Sequence, residues 1–188
     1  MAKYQIDSIQ SWPSFEHDGA THSLSHLDAH EITYKGEKQD FTFVVTYGLH
    51  CFAKEDTPYA IPVVYQDGRE QKTICMERYE ASKYIRHILA KLPSMRLFHT
   101  AAEKYFTLDV MNCATGHPEP YKVCIAFYKE KRLLRMHILS AFFVRTGPGA
   151  PGVPIPNKAV SLFKVATDTV GSQKKNARVP KEANNRIK

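Results

Sequence analysis

The residues of this chain best suited to chemistry lie on the stretch from Leu133 to Val144. There Leu134, Met136, Ile138, Phe142 and Val144 predict a core-facing side, which leaves Arg135 and His137 toward solvent. The preceding stretch, Tyr121 to Tyr128, sets Lys122 and Tyr128 opposite Val123, Ile125 and Phe127. A third, Tyr105 to Met111, sets Tyr105, Thr107 and Asp109 against Phe106, Leu108 and Val110. As neighbours in one sheet, the three present Tyr105, Asp109, Lys122, Tyr128, Arg135 and His137 on a single face, with His99 and Lys104 in the adjoining loop. That set suits metal-independent RNA cleavage, which needs a base for the ribose 2′-hydroxyl, an acid for the leaving 5′-oxygen and a cation for the phosphate. His137 or Asp109 is the candidate base, His99 or Tyr105 the acid, and Arg135 with Lys122 the phosphate clamp.

The elements that must position these residues follow from periodicity. Phe41 to Phe52 alternates cleanly, with Phe41, Phe43, Val45, Tyr47 and Leu49 on one side. Shorter strands are expected from Glu31, over Ala60–Gln66, from Glu70 to Met76 across an Asp67-Gly68 turn, and over Met95–Thr100. Ala81, Tyr84, Ile85, Ile88, Leu89 and Leu92 recur at helical spacing between Arg78 and the Pro93 stop. The fold class is therefore α+β, a single domain with a twisted antiparallel sheet of about six to eight strands and one principal helix. Residues 1–146 form that domain, and residues 147–188 a basic, Pro/Gly-rich extension with an apolar contact over Val160–Val165. In architecture alone, a helix followed by an antiparallel sheet on a basic chain of this size resembles the small toxin ribonucleases.

Charge is divided unevenly. Residues 147–188 hold eight basic and two acidic side chains, a net of +6, whereas residues 1–146 hold 18 and 17, a net of +1. Lys174, Lys175, Arg178, Lys181, Arg186 and Lys188 make an arm for phosphate contact. No aromatic residue follows Phe163, so base stacking is not the arm's role. The expected partner is nucleic acid, RNA before DNA, or an acidic protein surface.

His22, His26 and His30 recur every four residues, and with Cys51 and Cys75 they offer zinc-type ligands. The cysteines come singly, however, and alternation turns His50 away from Cys51, so no metal is expected. No Gly-rich dinucleotide loop, Walker loop, nucleophile elbow or EF-hand is present, and no cofactor is expected. No apolar run approaches the ~18 residues of a membrane span. Met1-Ala-Lys-Tyr-Gln-Ile-Asp-Ser lacks the apolar segment of a secretory signal, so a cytoplasmic protein with reduced cysteines is expected. Two functions fit this pattern. One is a metal-independent endoribonuclease of toxin type; the other is a non-catalytic module, an assembly component or mobile-element effector, whose basic tail docks on a polyanion.

Overall fold

The computed structural model describes residues 11–55, 61–64, 70–100, 104–155 and 158–171. Its first hairpin joins β1 (Phe15–His17) to β2 (Ala20–His22) through Asp18-Gly19, at φ 49° and 73°. A two-residue loop with both φ positive matches the twist of the strands it connects, and glycine takes that conformation without steric cost.

β3 (His30–Tyr34) and β4 (Phe41–His50) follow, then the short β5 (Ala53–Lys54), β6 (Pro62–Val64) and β7 (Gln71–Ile74), which form a separate three-stranded sheet. The predicted helix appears as two abutting pieces, α1 (Met76–Ser82) and α2 (Ile85–Lys91). Ser82 explains the break. Its hydroxyl donates to the Tyr79 carbonyl at 2.6 Å, drawing on an acceptor of the helical ladder. The phase shift leaves Tyr84, expected in the apolar stripe, 57% exposed.

β8 (Leu97–His99), β9 (Tyr105–Asn112), β10 (Pro118–Glu130) and β11 (Leu133–Phe143) complete most of the main sheet. Lys131, at φ 54°, turns the two-residue loop between β10 and β11. β12 (Ala159–Val160) and α3 (Leu162–Gly171) close the described chain. Where the sequence suggested only an apolar contact, α3 buries Leu162, Val165 and Ala166 in the common core.

The seven strands run β12-β8-β9-β10-β11-β4-β3 in a curled sheet. The fold class is α+β, and the sheet is mixed because β11 pairs parallel with β4. A bulge at Leu139 interrupts β11: Ile138 faces Ile125, and Ser140 already faces Cys124. Beyond it the alternation reverses. Ala141 and Phe143 meet Val123 and Tyr121 on the core face, and Phe142 turns to the other. α1, α2 and α3 all place buried residues in one core, against Phe43, Val45, Tyr47, Val123, Ile125, Met136 and Ile138.

Candidate nucleic-acid interface

The face of the main sheet opposite that core gathers most of the chemistry-bearing side chains. Directly paired residues share a face, so register defines its rows. One row crosses six strands: Ala159, Phe98, Phe106, Cys124, Ser140 and His50. Beside it lies Leu108, Lys122 and Phe142. On the other side come Ala126, His137 and Thr46, then Tyr128, Arg135, Val44 and Glu31.

Contacts bind these rows together. Lys122 Nζ sits 4.1 Å from the Phe106 ring centroid, and the Phe98 and Phe106 centroids are 5.3 Å apart. His137 Nδ1 lies 2.9 Å from Thr46 Oγ1. Arg135 Nε is 3.5 Å from a Glu130 carboxylate oxygen. At the far end of the long row His50 Nε2 meets Glu70 at 3.1 Å, and the Arg78 guanidinium covers the Phe142 ring at 5.3 Å.

The residues expected on one face are divided between two. Lys122, Tyr128, Arg135 and His137 do share the face opposite the core. Tyr105 pairs with Ile125 and Asp109 with Tyr121, which puts both on the core face. His99 pairs with Tyr105, ring centroids 4.6 Å apart, and Asp109 lies 3.9 Å from Lys91 Nζ. The reason is register: Lys122 meets Leu108, not its odd-numbered neighbours, so the polar positions of β9 turn inward. Thr107 is 1% exposed and donates to the Arg96 carbonyl, while Val110, expected in the core, is 68% exposed.

Arg135 and His137 also depart from the solvent-facing expectation, at 6% and 2% exposed. Alternation reports which face a side chain takes, not how deep that face lies. Tyr128 and Val44 flank Arg135, and Ala126 and Thr46 flank His137. The sheet therefore stands between the proposed acids and the proposed clamp, and the six residues do not converge on one phosphate. Register also brings onto this face residues that sequence reading did not place there, namely Phe98, Phe106, Cys124, Ser140 and His50. Phe98 and Phe106 read there as ordinary apolar positions, and no local signal marks their neighbours. Lys174, Lys175, Arg178, Lys181, Arg186 and Lys188 lie outside the described residues.

The three histidines and the Cys51 thiol each have another partner. His22 stacks on Phe15 at 5.1 Å, His26 Nε2 meets Ser82 Oγ at 2.6 Å, and His30 stacks on Tyr47 at 5.9 Å. The Cys51 thiol, pushed up by burial, donates to the Ile138 carbonyl at 3.5 Å, and the Cys75 amide donates to the Phe52 carbonyl. All four cysteines are free thiols, and among the described residues no group of three His, Cys, Asp or Glu is placed to hold a metal. No described helix is long and apolar enough to cross a membrane.

Two of these histidines give the fold a pH dependence. Burial holds the His26 imidazole below its ordinary value of 6.5, and Lys83 and Arg86 add repulsion that outweighs Glu80 and Asp28. Burial lowers His30 too, and the Arg86 charge adds to it, against the hydrogen bond that His30 Nδ1 donates to the Asp28 carbonyl. Near pH 6.5 the unfolded chain takes up protons that the folded chain refuses, so these two residues make stability fall as pH drops through that value. Melting curves between pH 7.5 and about 5.5 are expected to show a falling midpoint, with a shallower fall in His26→Asn. An equal slope in the variant removes His26 as a cause.

The family model that describes the YjaZ family matches residues 14–170. The chain is also similar to "Protein YjaZ" of Escherichia coli (strain K12), at 30% identity over 145 residues, 71% of this chain and 80% of that one. No solved structure matches. The family match takes in every element from β1 to the last turn of α3 and stops before the basic run that begins at Lys174. This chain belongs to the YjaZ family.

Proposed function

We propose that this protein binds RNA without cleaving it, using the sheet face opposite the core together with the basic extension. One observation carries the choice of binding over cleavage: Tyr105, Asp109 and His99 stand on one side of the main sheet, and Lys122, Arg135 and His137 on the other. General acid-base cleavage needs proton donor, proton acceptor and phosphate cation around one phosphate. Phosphate binding needs only cations at the surface, and the net +6 of residues 147–188 supplies them whatever the arrangement of the sheet. The family match ends at residue 170, before the basic run that begins at Lys174.

The test is a time course of full-length protein on labelled structured RNA at low salt with excess EDTA, read on native and denaturing gels. A retarded band with intact RNA is the expected result. Cleavage under these conditions restores the ribonuclease reading, and intact RNA without retardation turns the search to acidic protein surfaces.

A further inference from the structure

The second sheet face carries more than charge. At the β12 margin its long row begins with Ala159, Phe98 and Phe106, and Lys122 lies in the next row with its ammonium over the Phe106 ring. The planes of the two rings are tilted 30° to one another. Phe106 is covered, 3% exposed, while Phe98 is only partly buried. Its directly paired neighbour toward the edge is Ala159, which is exposed and too small to cover a ring. Lys158, also exposed, precedes Ala159. Neither of these two rows contains a carboxylate, and among the described residues Lys122 makes no ion pair. Among the described residues the acid joined to the long row is Glu70, on His50, which lies four strands from Phe98, about 19 Å along the sheet.

We infer that this face takes single-stranded RNA, with an unpaired base against Phe98 and the adjoining phosphate on Lys122. The inference rests on the RNA-binding reading above and adds the kind of RNA. An aromatic ring on a sheet offers its face to any unpaired base, whatever its identity. A duplex hides those base faces within its own stack, and its backbone alone would reward cations without rewarding rings. The basic run from Lys174 to Lys188 has no aromatic residue and cannot make this distinction, so strand selectivity falls to the Phe98 row.

The experiment uses the full-length chain, a fluorescein-labelled oligouridylate and an RNA duplex of equal length, followed by anisotropy over a range of KCl in EDTA. Phe98→Leu keeps an apolar side chain in the row and removes the ring; Phe98→Tyr keeps the ring. Near-ultraviolet circular dichroism confirms that each variant is folded. The expected result is tighter binding of the oligouridylate than of the duplex. Phe98→Leu should then weaken single-strand binding about tenfold with its salt slope unchanged, as loss of one stacked base predicts. Phe98→Tyr restores the affinity, and Lys122→Gln lowers the single-strand salt slope by about 0.7. Equal affinity for duplex and single strand, or single-strand binding by Phe98→Leu equal to that of the unaltered chain, overturns the inference and leaves the RNA-binding reading standing. If neither RNA binds at low salt, both fall together.

Discussion

Cutting the chain back to residue 171 is expected to weaken RNA binding at low salt by at least about a hundredfold. The segment removed carries Lys174, Lys175, Arg178, Lys181, Arg186 and Lys188 against a single acid, Glu182. Each cation seated on a phosphate releases a condensed counterion, so affinity falls steeply with added salt. For single strands the slope is about −0.7 per contact, and losing six contacts should flatten log affinity against log salt by about four. The truncated chain keeps the whole stretch matched by the family and every described element through α3, so its fold is retained. Titrating both chains with the same labelled RNA at several salt concentrations gives the two slopes directly. Equal affinities and equal slopes would remove the extension from the interface and leave the sheet face as the only candidate surface.

Phe43→Ala carries the largest expected loss of stability. Phe43 is fully buried on β4, paired with Ile32 of β3 and Leu134 of β11. Its ring meets Phe127 edge-on at 5.6 Å and Tyr34 at 6.1 Å. The substitution removes buried apolar surface, opens a cavity between three strands and ends two aromatic contacts, at a cost of about 3–5 kcal/mol. Against a typical domain stability of about 5–15 kcal/mol this is a large share, and the melting midpoint should fall by roughly 10 °C. Val110→Ala is the matched control: Val110 is 68% exposed, and its loss should change stability by less than about 0.5 kcal/mol. Urea melts of the two variants decide the matter. A cost for Phe43→Ala below about 1 kcal/mol would mean that the pairing of β4 with β3 and β11 does not hold in solution.

Much of the fold is legible along the chain. β4, β10 and β11 follow from aromatic and β-branched residues repeating every second position, because the backbone of a strand has a period of two. The helical segment follows from apolar spacing, although its break does not. Ser82 ends α1 through a hydrogen bond to Tyr79 and a second contact with His26, 56 residues away. The uneven charge is a matter of counting. Alternation also placed Lys122, Tyr128, Arg135 and His137 together correctly, since it governs one strand and its immediate hairpin partner.

The candidate site depended on relations that no local pattern records. One is the register of β9 on β10, which turns Tyr105 and Asp109 to the core and Phe106 and Leu108 away from it. A shift of one residue exchanges the two faces, and the composition of β9 is mixed enough that either assignment reads plausibly. Another is the bulge at Leu139, which carries Phe142 out of the core and Phe143 into contact with it. A third is the parallel pairing of β11 with β4, which sets His137 against Thr46 across 91 residues of chain and buries it. Periodicity, charge and turn chemistry act over a few neighbouring residues, and the chain states them openly. Register, curl and depth arise when distant strands compete to bury their surfaces against one another, and they exist only once the sheet has closed.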